Sequence, residues 1–167
     1  MKKIISAFLF SFLTCCVSAQ NPSIEILSTG TKTSLRGLSV VNDNIIWVSG
    51  SNGIVGRSTN AGKNWKWLTV TGFEKTEFRD IEAFDGNTAI IMGIGEPAYI
   101  LKTTDAGENW KVVYENKTKG MFLDAMDFAN NREGIVIGDP IKGKVFIART
   151  SNTGNTWEQI TEDERTP

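Results

Sequence analysis

The sequence contains no histidine and only two cysteines. Histidine is the commonest general base and a common metal ligand, so its absence excludes Ser-His-Asp and Cys-His hydrolases and histidine-ligated zinc sites. Both cysteines, Cys15 and Cys16, lie near the N-terminus. The formal net charge of −1 argues against a nucleic-acid binder that depends on electrostatic attraction. We therefore predict no metal site and no cofactor.

The N-terminus has the features of an export signal. Three residues with two lysines are followed by an apolar run from Ile4 to Val17 and by small residues up to Ala19. This order predicts a secretory signal peptide over residues 1–19, cleaved after Ala19, and a secreted or periplasmic mature chain without a membrane span. The residues before Cys15 and Cys16 fit a lipoprotein signal poorly, and a lipid anchor at the outer membrane is the alternative.

An eight-residue segment occurs three times in the chain. The copies run over Ser58–Trp65, Thr103–Trp110 and Thr150–Trp157. The period of about 45 residues is typical of repeat architectures in which each unit forms one supersecondary element. The sequence therefore predicts three similar units.

Each copy has the composition of a tight turn. An Asn or Asp in third place can accept hydrogen bonds from backbone amides just ahead, and a glycine in fifth place supplies a left-handed backbone conformation. The closing tryptophan is expected to begin the next strand and to cover the turn as part of the core, rather than to bind a ligand. The residues assigned to these turns are Ser58, Asn60, Gly62, Trp65, Thr103, Asp105, Gly107, Trp110, Thr150, Asn152, Gly154 and Trp157.

The pattern of these turns resembles the Asp-box, or bacterial neuraminidase (BNR) repeat, of β-propellers. Only Asp105 retains the aspartate, while Asn60 and Asn152 keep an acceptor without the charge. Between the turns the chain consists of short apolar runs that predict four strands per unit, and no stretch has a helical period. The predicted fold is all-β, a β-propeller of four-stranded antiparallel blades.

The first predicted strand stands apart from the three units. Ile24–Leu27 aligns with the strands that follow the turns, so we expect it to be a latch strand that completes a blade formed by later sequence. Closed propellers usually need about four to eight blades, so we expect the N-terminal part of a longer protein or a truncated reading frame. The alternative is an assembly of several arcs into one ring. The predicted boundaries are 20–30 for the latch strand, 34–72 for blade 1, 76–116 for blade 2 and 120–162 for blade 3.

A second pattern repeats on the first strand of each unit: Leu35-Arg36-Gly37, Phe78-Arg79-Asp80 and Phe122-Leu123-Asp124. Together with a second strand that ends in glycine and the following turn, it resembles the photosystem II stability/assembly factor family and its relatives in non-photosynthetic bacteria. The resemblance covers residues 24–160. It implies a scaffold that holds protein partners during assembly, not an enzyme. The chain departs from the family at Leu123, where an arginine would be expected.

Arg36 and Arg79 occupy equivalent places in the alignment, and two guanidinium groups can bind a carboxylate or an acidic peptide in bidentate fashion. With Asp80 and Asp124 they are the candidate residues for binding a partner. The alternative is structural, with each arginine paired to an acid of the neighbouring blade, such as Asp80 or Asp124, to set the register of the blades. No catalytic residue is predicted.

The Asp-box also occurs in sialidases, which use an arginine cluster, a tyrosine nucleophile with a glutamate partner, and an acid/base aspartate. Arg36 lies roughly where a first arginine would lie, but Tyr99 and Tyr114 are in no recognisable setting. The leading hypothesis is a secreted or periplasmic, non-catalytic propeller that binds a protein or peptide partner. The alternative is a sialidase-like glycoside hydrolase whose remaining catalytic residues lie in further blades.

Overall fold

The computed structural model describes Ile24 and residues 30–160, which form twelve β-strands and no helix. None of this described part therefore forms a helix that could cross a membrane. The strands are β1 (Leu35–Val40), β2 (Ile46–Gly50), β3 (Ile54–Ser58), β4 (Lys66–Thr69), β5 (Glu77–Ala83), β6 (Ala89–Ile94), β7 (Ala98–Thr103), β8 (Lys111–Asn116), β9 (Leu123–Phe128), β10 (Gly134–Ile141), β11 (Lys144–Thr150) and β12 (Glu158–Gln159).

The strands form three antiparallel sheets in sequence order, β1-β2-β3-β4, β5-β6-β7-β8 and β9-β10-β11-β12. We call these sheets blades 1, 2 and 3. The first strands lie side by side, because β1 contacts β5 and β5 contacts β9. The predicted fold, all-β with four-stranded antiparallel blades, is confirmed.

The fourth strands begin one residue later than predicted. Trp65, Trp110 and Trp157 were expected to open these strands, but each strand starts at the following residue. In the first copy the Asn64 amide donates a hydrogen bond to Asn60 Oδ1, so the turn extends up to Trp65 and the strand begins after it.

The predicted latch strand falls largely on residues that the structure does not describe. Within 20–30 only Ile24 and Gly30 are described, and neither lies in a strand. The signal peptide and its cleavage site lie outside the described residues altogether.

The apolar core lies between the blades. One cluster joins blades 1 and 2 and includes Trp47, Val55, Ile81 and Ile91. The other joins blades 2 and 3 and includes Ile90. Successive side chains on a strand point to opposite faces, so β6 sends Ile91 toward blade 1 and Ile90 toward blade 3. Blade 2 is therefore buried on both faces, which accounts for the nearly continuous apolar sequence of β6.

Candidate functional site

The first strand of each blade contains a β-bulge at a charged residue. In blade 1, Leu35 pairs with Gly50 and Gly37 with Ser49, so that Arg36 is left out of the ladder. In blade 2, the corresponding pairs leave out Arg79. A bulge inserts an extra residue into one strand and redirects its side chain. The two arginines predicted to be equivalent therefore occupy the same structural position.

The third bulge corrects the alignment made from sequence. Leu123 pairs with Gly138 and Ala125 with Ile137, so the residue left out of the ladder in blade 3 is Asp124. Asp124, not Leu123, is thus equivalent to Arg36 and Arg79. The sequence comparison missed this equivalence because it aligned Phe122 with the residue that precedes the arginine in the other blades. The strand register aligns Leu123 with that preceding residue instead. The equivalent positions carry two cations and one anion.

Arg36, Arg79 and Asp124 lie around one open cavity of about 460 Å³, whose other lining residues are Leu35 and Asp80. The structure thus brings together all four residues predicted as partner-binding candidates. Each of them lies on, or directly beside, a bulge at the end of a first strand.

Both arginines reach toward the following blade. Arg36 Nη2 lies 3.4 Å from Glu77 Oε2, and both side chains are about two-fifths exposed, at 41% and 42%. Arg79 Nε donates a hydrogen bond of 3.1 Å to the backbone oxygen of Asp124, and its guanidinium lies over the ring of Phe122. Neither arginine pairs with the carboxylate of Asp80 or Asp124. No hydrogen bond from the Nη nitrogens of Arg79 is present within the described part of the chain.

Asp80 connects two blades through its carboxylate. Its Oδ1 accepts from the Ile81 amide at 2.9 Å, and its Oδ2 accepts from the Met126 amide of blade 3, also at 2.9 Å. Burial raises the pKa of Asp80, and the two amide donors counteract part of that rise. Since both oxygens are engaged with backbone amides, Asp80 fixes the junction of blades 2 and 3 beside the cavity.

A second carboxyl group lies on the same strand. Burial raises the pKa of Glu82 to about 7, with smaller contributions from the negative charges of Asp80 and Asp127. Asp80 and Glu82 are two residues apart on β5 and therefore lie on one face of the strand. Within the described residues, no cluster of three or more potential ligands is arranged to hold a metal ion.

The three repeated turns share one hydrogen-bond pattern. In the second copy, the Gly107 amide donates to Thr103 Oγ1 at 3.0 Å, and the Asn109 amide donates to Asp105 Oδ1 at 2.9 Å. The first and third copies repeat both bonds with their own residues. Hydrogen bonds from the Asn109 side chain and amide, together with that from Thr103, lower the pKa of Asp105. The turns are thus closed by side chains within eight residues of sequence.

One feature of these turns was not expected from the sequence. The fourth residue, Ala61, Ala106 or Thr153, has a positive φ of 58°, 63° or 60°, as does the glycine that follows it. The amide of this fourth residue donates to a carbonyl in the loop between the first two strands, for example from Ala106 to Asn87 O at 2.9 Å. The amide therefore ties the outer turn to its own blade.

The tryptophans of the three turns differ in burial. Trp157 is buried and meets Phe128 edge-on, with ring centroids 5.8 Å apart. Trp65 and Trp110 are half-buried, and Trp110 Nε1 donates to Gly107 O at 3.1 Å. The tryptophan that is fully buried between blades 1 and 2 is Trp47, on β2, which sequence analysis did not single out.

The two tyrosines do not line the arginine cavity. Tyr99 meets Phe73 edge-on, with ring centroids 5.1 Å apart, and Tyr114 packs on Phe146. The arginine cavity, lined by five described residues, contains no tyrosine.

No protein-family model matches the sequence, and no curated protein matches it significantly. Solved structures do match. The chain aligns with "YCF48 bound to D1 peptide" at a TM-score of 0.65 and 22% identity, over 81% of this chain and 42% of that one. It aligns with "YCF48 from Cyanidioschyzon merolae" at a TM-score of 0.61 and 19% identity, over 84% of this chain and 44% of that one.

The chain thus spans less than half the length of these two structures. At this level of identity the likeness concerns the fold. Within that limit, the chain is similar to YCF48, a photosystem II assembly factor with a β-propeller fold, and the resemblance predicted from the repeated motifs is confirmed.

Proposed function

We propose that this chain is a non-catalytic propeller scaffold that binds the carboxylate of a protein or peptide partner at Arg36 and Arg79. The observation that carries the proposal is the convergence of the bulges on one open cavity. Two guanidinium groups on one rim suit bidentate recognition of a carboxylate, and Arg offers a rigid fork of donors for it. The peptide seen with one structural neighbour, "YCF48 bound to D1 peptide", supports a peptide ligand.

Asp124 adds a negative charge to the lining of the cavity. The acid faces the same space as the arginines, so a backbone amide or a cationic side chain of the peptide can pair with it. Asp80 already accepts hydrogen bonds from two backbone amides. Its role in this proposal is therefore to hold the wall of the cavity in place, and not to bind the ligand. A peptide with a free carboxylate and a nearby cation or donor matches this arrangement better than a uniformly acidic peptide.

We further propose that the chain acts after export, in the periplasm or outside the cell, with cleavage after Ala19. This part of the proposal is supported by the basic start, the apolar run and the small residues that end it. A tyrosine beside the two arginines would have favoured the sialidase alternative, but none lines the cavity.

The binding test compares two fluorescent peptide libraries that differ only in a C-terminal carboxylate or a C-terminal amide. We expect the carboxylate library to yield peptides that bind the parent protein and lose affinity at least tenfold with Arg36→Ala, because a charge-assisted hydrogen bond contributes about 1.5–3 kcal/mol. Arg36 is partly exposed, so its variant should fold. Arg132→Ala, in the β9–β10 turn, is the matched control and should bind like the parent.

Equal binding of both libraries, or peptides whose affinity is unchanged in both Arg36→Ala and Arg79→Ala, would refute carboxylate recognition at this cavity. Turnover of sialosides by the parent protein, abolished by Arg36→Ala, would replace the scaffold with the hydrolase. Export is tested separately, by N-terminal sequencing of the protein recovered from the periplasm or medium; an intact Met1 would contradict it.

A further inference from the structure

Each arginine of the cavity contacts one particular residue of the following blade. The residue before each bulge pairs with a glycine of the second strand, and these pairs are Leu35 with Gly50, Phe78 with Gly93 and Leu123 with Gly138. The three residues that come directly before them in the chain are therefore equivalent: Ser34, Glu77 and Phe122. Arg36 of blade 1 contacts Glu77. Arg79 of blade 2 contacts Phe122. We call this place in the repeat the receiving position.

The backbone supports the equivalence of the two receiving residues that are in contact with an arginine. Glu77 pairs with Ile94, the residue after the glycine of β6. In blade 3, the amide of Asp139, the residue after the glycine of β10, donates to Phe122 O at 2.8 Å. Glu77 and Phe122 therefore have the same place in their blades, although one side chain is an acid and the other an aromatic ring.

The acid at the receiving position of blade 2 engages the charge of Arg36. Arg36 Nη2 lies 3.4 Å from Glu77 Oε2, and Ser51 Oγ donates to Glu77 Oε1 at 3.5 Å. A carboxylate of the protein itself thus uses a donor that a ligand's carboxylate would need. Both side chains of the ion pair are about two-fifths exposed, and exposed ion pairs contribute little to stability. A ligand can therefore replace Glu77 at small cost.

The ring at the receiving position of blade 3 holds Arg79 without neutralising it. The guanidinium carbon of Arg79 lies 5.3 Å from the centroid of the Phe122 ring, and Arg79 Nε donates to Asp124 O. A ring face attracts a cation but adds no negative charge. The two Nη nitrogens, which make no hydrogen bond within the described part of the chain, remain for a ligand. Their edge of the guanidinium can bind both oxygens of one carboxylate.

The acids that line the cavity do not take the part of Glu77. Asp80 accepts from two backbone amides, and the contact of Arg79 with Asp124 is to the backbone oxygen and not to the carboxylate. Within residues 30–160, the carboxylate that forms an ion pair with a cavity arginine is that of Glu77. The two arginines therefore differ in how much of their charge is available, and the receiving residue makes the difference.

We propose that Arg79 is the anchor for the ligand's carboxylate and that Glu77 is an internal competitor, which the ligand displaces in order to bind Arg36. This assignment rests on the proposed function and gives the two arginines separate roles within it. Phe122 is a positioning residue, because it acts on the ligand only through Arg79. Glu77 lowers the affinity of the site and restricts it to ligands whose carboxylate can replace its own.

The first experiment measures dissociation constants by fluorescence anisotropy, with a carboxylate-ended peptide from the library described above as the probe. Glu77→Gln keeps the size of the side chain and removes its charge. It should tighten binding about two- to fivefold, the range expected for release of an exposed ion pair. Glu74→Gln makes the same change at an exposed position three residues earlier and should bind like the parent. A Glu77→Gln variant that binds no tighter than the parent would overturn the role of Glu77.

A double-variant comparison shows whether Glu77 acts through Arg36. In the Arg36→Ala protein, adding Glu77→Gln should bring no gain in affinity, because no cation remains to be released. A gain of the same size in both backgrounds would mean that Glu77 only adds negative charge near the cavity, and the competition would be excluded. In the parent, Arg79→Ala should cost more affinity than Arg36→Ala, and Glu77→Gln should reduce this difference. The opposite order would remove Arg79 as the anchor.

The second experiment places the chemistry of blade 2 in blade 3. Phe122→Glu offers Arg79 a carboxylate and should weaken binding several-fold relative to Phe122→Gln, which also lacks the ring but adds no charge. Phe122→Tyr keeps the ring and should bind like the parent. Circular dichroism and urea unfolding check that each variant is folded. Equal affinity of the Phe122→Glu and Phe122→Gln variants would show that the receiving position does not control Arg79. If neither variant folds, the Glu77→Gln measurements still decide the proposal.

The outcomes separate this assignment from the proposed function. If no carboxylate-ended peptide binds through the arginines, the proposed function fails and the assignment fails with it. If such a peptide binds and loses affinity with Arg36→Ala or Arg79→Ala, but Glu77→Gln does not tighten it, the function stands and Glu77 is not a competitor.

Discussion

The hydroxyl of Thr103 offers a direct test of how the repeated turns stabilise the fold. Thr103 is 1% exposed, and its Oγ1 accepts from the amides of Gly107 at 3.0 Å and Asp105 at 3.3 Å. The same hydroxyl donates to Asp105 Oδ1 at 2.9 Å. Thr103→Val keeps the shape of the side chain and removes only this acceptor and donor, so no cavity is formed.

The size of the expected stability loss depends on which hydrogen-bond donor is left buried without a partner. The Gly107 amide lies in a buried hydrogen bond, and a buried donor left without a partner costs about 1–3 kcal/mol. The Asp105 amide is only partly buried, so water can replace its bond at little cost. We therefore expect Thr103→Val to lower the free energy of unfolding by about 1–3 kcal/mol.

Urea unfolding followed by tryptophan fluorescence measures this loss. With a slope of about 2 kcal/mol per molar urea, the midpoint should fall by about 0.5–1.5 M. Thr103→Ser keeps the hydroxyl, as Ser58 does in the first turn, and should retain most of the stability. Thr104→Val makes the same chemical change at an exposed neighbour. If the midpoints of Thr103→Val and Thr104→Val coincide, the hydroxyl does not stabilise the turn.

Two further predictions concern a turn glycine and a buried carboxyl. Gly154→Ala should destabilise the protein by about 1–3 kcal/mol, because Gly154 has a φ of 66° and an added Cβ would meet Ile90; an unchanged urea midpoint would contradict this. For Glu82, the folded pKa of about 7 lies above the ordinary value of 4.5, so the folded state holds the extra proton. Its contribution to stability should fall as pH rises from about 4.5 to 7. Glu82→Gln should flatten this part of the pH profile in urea unfolding, and a profile identical to the parent's would show that burial of Glu82 is not responsible.

The repeat could be recognised from sequence because its turns are closed locally. The hydroxyl at the first position, the acceptor at the third and the glycine at the fifth all bond within eight residues, as in Thr103, Asp105 and Gly107. Such bonds need no distant partner. The alternation of apolar runs between the turns then specifies four strands, so the three four-stranded units and the order of the strands within each unit follow from the sequence alone.

The candidate site could be predicted only in part from the sequence. Sequence alignment found that Arg36 and Arg79 are equivalent, but it assigned the third position to Leu123 instead of Asp124. The assignment depends on where the bulge falls in the pairing of β9 with β10, which joins residues distant in the chain. The pairing of Arg36 with Glu77, rather than with Asp80 or Asp124, likewise depends on how two blades pack.

The sequence by itself determined the period, the turns and the all-β architecture, because local hydrogen bonds and strand alternation are properties of neighbouring residues. Only the tertiary structure decided which apolar residues are covered. Ile90 and Ile135 are the same residue type at the same place in the repeat, yet one is fully buried and the other is half exposed. The difference comes from the neighbouring blade, since burial is a property of what packs against a strand and not of the strand's own sequence.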